Sequence, residues 1–423
     1  MCIRDSLRAA RPAPPSPRFP KPLHHRSTPP THTTSRRWRQ ALMTTRLLTG
    51  ATGFVGGAVV LELLDKTDDP VLALVRGKDD AEATQRLHDT LSAMADGYGR
   101  SDLHPEILRR TLAVHGDMTV DGCGVDPTAL PPVDEVWHCA ASLRYEEEYR
   151  TEIEAQNVQG TANVLALAKS LGAGIFNYVS TAYVAGSRTD LIAEGPVTDQ
   201  SVANNCYEQT KMRAEALVEE AAADMRIRIL RPTVVIGHSV TRHGLNWSGM
   251  YGFARQVLVF KKTAARKLGT FLSHARVRLL ADPDTVINIV PVDIVARNAV
   301  AISLSDSPET YFHLGNSAGP KVRDIITQIF ELIGLREPLW VDDRDGFTAI
   351  DEALDGGMNF YRSYLRYNKR FDLTNTAAVC GDDASFAPTG EEDMAEYLLY
   401  YLRTLRGFQE NTGNERVVHE IAA

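Results

Sequence analysis

From Thr45 onward, short continuous apolar runs alternate with stretches in which apolar residues return every three or four positions. The segments "TRLLTG", "PVLALVRG", "TLAVHGD", "EVWHCAA", "IFNYVSTAYV" and "RIRILRPTVVIG" are of the first kind and predict buried strands. "FVGGAVVLELLDK", "NVQGTANVLALAKSL" and "YEQTKMRAEALVEEAAA" are of the second kind and predict amphipathic helices. Repeated strand and helix units imply an α/β fold with a doubly wound parallel sheet covered on both faces, and ligands gathered at the carboxyl ends of the strands.

The pattern changes between Thr241 and Leu280. There "LNWSGMYGFARQVLVFKKTAARKLGTFL" mixes aromatic and aliphatic residues with Arg255, Lys261, Lys262, Arg266 and Lys267. "NIVPVDIVARNAVAI", Asn288 to Ile302, reads as a return to the sheet domain. The expected division is a sheet domain over 43–240, with 285–310 returning to it, and a smaller, mostly helical cap built from 241–284 and 311–423. Within that cap "RYNKRFDLTNTAAV" and "EEDMAEYLLYYLRTL" predict a short extended piece and a helix.

Residues 1–42 share none of this periodicity. They contain "RPAPPSPRFPKP" and "STPPTHTTSRR" and hold nine Lys/Arg against one acid, a composition that predicts a disordered tail. Met43 is the expected native start, with an organelle transit peptide as the alternative reading of the leader. The tail also hides the charge of the rest. The formal net charge is -8, yet 37 bases and 53 acids remain beyond residue 42, which argues against a nucleic-acid partner. No stretch approaches the roughly eighteen uninterrupted apolar residues of a membrane span. The five cysteines show no CxxC spacing, which argues against a zinc site or a disulfide framework and fits a reducing cytoplasm.

The stretch "LLTGATGFVGG" supplies the first chemistry. Gly50, Gly53 and Gly56 fall between a predicted strand and a predicted helix. In that setting Gly50 permits a tight turn, Gly53 admits a pyrophosphate against the backbone, and Gly56 lets helix and strand pack closely, as in a Rossmann dinucleotide site. The helix N-terminus then offers unpaired N–H groups to phosphate. The expected cofactor contacts are Gly50, Thr52, Gly53, Phe54, Val55 and Gly56, with Asp117 and Met118, Ala140 and Ala141, and Pro232 and Val235 at the ends of later strands. Arg76 ends the second strand where a unit selective for NAD usually carries an acid. A guanidinium there suits a 2′-phosphate, so NADPH is the expected cofactor, the alternative being that Arg76 is merely a solvated residue at a strand end.

Tyr207 and Lys211 in "YEQTK" stand one helical turn apart and can reach one site. A phenol, with its ordinary pKa of about 10, is a poor acid or base at neutral pH, and a neighbouring ammonium favours its charged form. Alone, such a pair is commonly a surface pair. Here it follows "VSTAYVAG" at a strand end in a chain that opens with a dinucleotide turn.

With these motifs in this order, the sequence resembles the extended short-chain dehydrogenases/reductases from about Leu47 to Asp293. The family's glycine turn matches Gly50, Gly53 and Gly56, its N-x-x-G-T helix start matches Asn157, Gly160 and Thr161, its Ser/Thr position matches Thr181, and its YxxxK matches Tyr207 and Lys211. The resemblance implies that Tyr207 is the general acid/base. It implies further that Lys211 binds the nicotinamide ribose and tunes Tyr207, that Thr181 bonds the reacting oxygen, and that Asn157 steadies a water relay to Lys211.

"LVR", "GDMT", "NVQGT", "VSTAYV", "YEQTK" and "LRPTVVIG" look most like the branch of fatty acyl-CoA reductases and thioester reductase domains. That branch implies hydride transfer from NADPH to an acyl thioester, acyl-CoA or carrier-bound, or to a fatty aldehyde. The basic members of 241–280 are then expected to meet carrier phosphates or a membrane surface, the plainer reading being a solvated helix face. Val234 stands where sugar-nucleotide epimerases and dehydratases usually have a diphosphate-binding Asn. Open alternatives are a dehydrogenase of a steroid-like ketone or hydroxyl, a sugar-nucleotide enzyme, and a non-enzymatic relative. Cys206 is read as a small hydrophobe rather than a nucleophile, and His138 and Cys139 as sheet packing rather than metal ligands.

Overall fold

The computed structural model describes residues 43–411, other than 246, 248, 270, 271, 273 and 388. The tail expected over 1–42 lies outside the described residues.

In the first half of the chain, strand β1 (Arg46–Thr49) leads into helix α1 (Phe54–Lys66) and β2 (Val71–Val75) into α2 (Asp80–Gly97). A short α3 (His104–Arg110) precedes β3 (Thr111–His115) and β4 (Glu135–His138). Helix α4 (Arg150–Glu154), a π turn (Ala155–Gln159) and α5 (Gly160–Ser170) run on without a break to β5 (Ile175–Val179). After β6 (Leu191–Ile192) come α6 (Cys206–Glu220), β7 (Arg226–Pro232) and β8 (Val234–Ile236). The second half comprises α7 (Met250–Leu268), β9 (Arg278–Leu280), β10 (Ile289–Pro291), α8 (Val292–Leu304) and β11 (Tyr311–Leu314), then α9 (Val322–Ile333) and β12 (Leu339–Val341). It closes with α10 (Ala349–Asp355), α11 (Arg362–Arg366), β13 (Arg370–Phe371), α12 (Thr374–Cys380) and α13 (Glu391–Asn411).

The seven strands of the main sheet stand in the order β11-β7-β5-β4-β1-β2-β3, all parallel. The order reverses between β1 and β4, which opens a crevice at their carboxyl ends, the usual ligand position of a Rossmann-type fold. β1 and β2 are buried along their whole length, as expected of strands covered on both faces. One core cluster packs α1, α2 and α8 against one face of the sheet, and a second packs α5 and α6 against the other. A third lies among α7, α9, α10 and α13. The sheet domain therefore reaches beyond the expected return at 285–310, because Tyr311–Leu314 pairs with Ile229–Pro232 as its edge strand. α12 packs beside β11 and α8 and so also belongs with the sheet rather than the cap.

Candidate active site

The strand-to-helix turn after β1 forms as its glycines require. Gly50 has φ +79°, and a Cβ there would lie 2.7 Å from the main-chain nitrogen of Ala140 at the end of β4. A Cβ on Gly56 would overlap the carbonyl oxygen of Gly50. The turn is thus pressed against the crevice, and α1 begins at Gly53 with no side-chain cap and no acid in its first turn. Its first N–H groups remain available to an anion.

One cleft of about 1110 Å³ runs from this turn across the sheet ends to α7 and α9. It is lined by every expected cofactor residue from Gly50 to Val235, and also by Thr181, Tyr207 and Lys211. Asp117 is fixed at the wall by accepting from the amide and hydroxyl of Thr119 at 2.9 and 2.8 Å. The main-chain oxygen of Met118 accepts from Asn163 at 2.8 Å. Arg76 lines the outer end, joined by Arg86 of α2, whose guanidinium donates to the carbonyl of Arg76 at 3.2 Å. Glycines without room for a side chain, free helix N–H groups and small residues at Ala140 and Ala141 fit an extended dinucleotide, and the two arginines fit an added phosphate.

The side chains expected to be catalytic enter from two elements. Helix α6 starts where the Asn205 side chain accepts from the amide of Glu208 at 2.9 Å, which places Tyr207 in the first turn and Lys211 one turn on. A buried ion pair, Arg231 to Glu215 at 2.7 Å, fastens α6 to β7. Lys211 is buried and donates to the main-chain oxygen of Val179 at 2.8 Å. Burial pulls its pKa down to about 7, against the Glu215 carboxylate and then Cys139, which raise it. Burial, then the Glu208 charge, push the Tyr207 phenol above its usual value, while the Thr181 hydroxyl beside it acts the other way. At the end of β5, Thr181 accepts from the amide of Tyr183 at 3.2 Å, which leaves its own proton free to donate. The Ser180 hydroxyl also lines the cleft and has no protein partner.

Asn157 sits apart from this group, in the π turn between α4 and α5. Its amide accepts from the Ser142 nitrogen at 2.7 Å and donates to the Ser142 oxygen and to Thr210 Oγ1, both at 3.1 Å. The side chain thus clamps the loop after β4 to α6, and no hydrogen bond joins it to Lys211. Cys206 donates through sulfur to the Tyr145 carbonyl at 3.1 Å, and burial raises its thiol pKa, both unfavourable to a nucleophile. No group of residues suited to a metal occurs among the described residues.

The far half of the cleft is largely apolar, with Arg255 and Gln256 of α7 as polar members of its lining. Phe253 and Val259 of α7, Ile325 and Ile329 of α9, and Phe360 and Leu365 from the C-terminal part line it, with Val234 presenting only carbon. Tyr145 stacks on Phe360 with ring centroids 3.7 Å apart, bringing the loop after β4 against the cap. The described bases of α7 lie in different surroundings. Arg255 lines the cleft, Lys262 and Arg266 are exposed, and Lys261 donates to the Ile333 carbonyl at the end of α9 at 2.6 Å. The side chain of Lys267 lies outside the described residues.

Sequence reasoning missed Arg86, Tyr145, Phe360 and Tyr364 as cleft residues. The aromatic density of "FYRSYLRY" was the available signal for the latter pair.

Comparison with known proteins gives the family and the fold. The family described as male sterility protein matches residues 48–299, more than half of the chain. Fatty acyl-CoA reductase 1 of Xenopus laevis is 27% identical over 290 residues, which cover 60% of this chain and 53% of that protein. The chain thus spans about half the length of that relative. The terminal R domain of the myxalamid PKS-NRPS biosynthetic pathway superposes with a TM-score of 0.68 at 24% identity, covering 87% of this chain and 92% of the domain. UDP-glucuronic acid 4-epimerase from Bacillus cereus, solved with NAD, superposes with a TM-score of 0.56 at 17% identity, covering 86% of this chain and 99% of that one.

Proposed function

The chain belongs to the male sterility protein family, NAD-binding extended short-chain dehydrogenases/reductases of the fatty acyl-CoA reductase branch, and on that premise we propose that it reduces a fatty acyl thioester with NADPH. The observation that carries the reading is the continuity of the cleft. A dinucleotide cradle, a Thr181–Tyr207–Lys211 group and an apolar channel follow one another along a single space. The names of the acyl-CoA reductase relatives support the thioester, and Arg76 with Arg86 supports the 2′-phosphate. Val234 offers a sugar diphosphate no hydrogen bond.

Bound at the cradle, a reduced nicotinamide would supply hydride to the thioester carbonyl carbon. Thr181 donates a hydrogen bond to the carbonyl oxygen and Tyr207 donates its phenolic proton there, so that the charge developing on oxygen is met by fixed groups rather than by water. Lys211, held in place by Val179, lies one turn below Tyr207 and favours its return to the ionised form. As the carbon–sulfur bond breaks, the hydroxyl so formed returns its proton to the Tyr207 phenolate, the carbonyl of the aldehyde re-forms, and the departing thiolate takes a proton from water to leave as thiol. The apolar walls hold the acyl chain and exclude water, while Arg255 at the cleft lining meets phosphate of the carrier.

Incubating the protein with an acyl-CoA and NADPH tests this reading through the thiol. Release of one free CoA thiol per NADPH oxidised supports it. No thiol release from any acyl-CoA, with NADPH oxidation on the matching aldehyde or on a ketone in a parallel assay, would assign the chain to carbonyl rather than thioester reduction.

A further inference from the structure

His138 ends β4 beneath the crevice, 1% exposed, with its ring 5.6 Å from that of Tyr178. Its two nitrogens have one partner each: Thr49 Oγ1 at 2.7 Å from Nδ1 and Thr161 Oγ1 at 3.0 Å from Nε2. The direction of these bonds follows from their neighbours. Thr161 lies 2.6 Å from the main-chain oxygen of Asn157, and a carbonyl only accepts, so the single Thr161 proton points there. Nε2 must therefore donate to Thr161. In a neutral imidazole Nδ1 then accepts, and the proton it receives is that of Thr49. Thr49 in turn accepts from the Ala140 amide at 3.2 Å. Burial, and then the Lys211 charge, pull the imidazole pKa down to about 3, in keeping with a neutral ring.

The first run ends on the main-chain oxygen of Asn157, and a second starts from the side-chain amide of the same residue. Asn157 Nδ2 donates to Thr210 Oγ1, and Thr210 donates to the carbonyl of Tyr207 at 2.9 Å. One end of the sequence is thus Ala140, which touches the Gly50 turn, and the other is the first turn of the catalytic helix. On each side of Asn157 the bonds have a fixed direction, Thr161 donating to its main-chain oxygen and its side-chain amide donating to Thr210 and to the Ser142 oxygen.

We propose that His138, as its Nε2–H tautomer, is a positioning residue that sets the cofactor turn and the Tyr207 turn in register through Thr49 on one side and Thr161 with Asn157 on the other. The proposal rests on the cleft being a nicotinamide cofactor site.

Two half-isosteres separate its two arms. Asn at 138 keeps an acceptor near the Nδ1 position and loses the donor at Nε2, whereas Gln keeps a donor near Nε2 and loses the acceptor. In the full chain, His138→Gln should weaken the NADPH Kd about three- to tenfold with kcat at saturating cofactor nearly unchanged. His138→Asn should keep the Kd and lose kcat by a similar factor. Equal proportional changes in both variants, no change in either, or the reverse split would overturn the proposal. Nitrogen-15 NMR of the unsubstituted protein, which does not depend on either variant folding, should show Nε2 protonated and Nδ1 bare from about pH 5 to 9. A titration in that range or an Nδ1–H tautomer would also overturn it. Cofactor affinity and tautomer decide this proposal even if no acyl thioester is reduced, a result that would count against the proposed function alone.

Discussion

The ammonium of Lys211 is fastened to the carbonyl of Val179 at 2.8 Å, 32 residues earlier in the chain, and is closed off from solvent. This bond joins α6, the helix that carries Tyr207, to the end of β5, the strand that leads to Thr181. Against the burial that disfavours charge on Lys211, the Glu215 carboxylate and then Cys139 act to raise its pKa.

A pH dependence of stability follows. The Lys211 pKa is depressed from its ordinary 10.5 to about 7 in the folded, cofactor-free protein. Between these values the unfolded chain binds more protons, so this contribution to stability grows as pH rises from about 7 to 10.5 and is lost as pH falls through 7. Thermal melts of the cofactor-free protein should show that slope, and Lys211→Met should remove it.

Replacing Glu215 by Gln leaves the Arg231 guanidinium buried without its partner. A loss of about 3–5 kcal/mol is expected, readable in denaturant melts, because an uncompensated buried charge remains. The same change removes the charge that holds the Lys211 pKa up, so a further fall in that pKa should accompany it.

Arg76 and Arg86 together should distinguish the two nicotinamide cofactors. Arg76→Asp is expected to weaken NADPH more than NADH by about 1.5–3 kcal/mol, the worth of a charge-assisted contact, and Arg86→Ala to act in the same direction. Isothermal titration of both cofactors checks this, and equal affinities in the unaltered protein would count against it.

The apolar half of the cleft should set acyl length. Each methylene buried there contributes about 0.8 kcal/mol, so kcat/KM is expected to rise with chain length until the channel is full. Ile329→Trp should move that limit to a shorter chain without changing the NADPH Kd.

Much of this site is legible in the chain because its parts are local. Gly50, Gly53 and Gly56 stand between a strand and a helix that their own periodicities announce, and Tyr207 and Lys211 share one turn. What sequence could not show depends on partners far apart. His138 reads as sheet packing because Thr49 is 89 residues before it and Thr161 is 23 after. The relay read for Asn157 comes from the family resemblance alone, and its clamp on Ser142 was hidden because that loop carries no periodic signal. Arg86 is one of many exposed helix residues until α2 folds back beside Arg76. The domain boundary falls short for a similar reason: "YFHL" is too brief to announce a strand and acquires one only by pairing with β7.

NADPH oxidation measured side by side on acyl-CoAs of increasing length, the matching aldehydes, and UDP- and GDP-sugars, for the unaltered protein and Tyr207→Phe, tests the central claim most directly. The expected result is turnover on the acyl substrates that rises with chain length, none on sugars, and a loss of about 10²–10⁴-fold in Tyr207→Phe with NADPH binding kept. Activity on sugars or ketosteroids with none on any acyl substrate, or near-normal turnover by Tyr207→Phe, would contradict it.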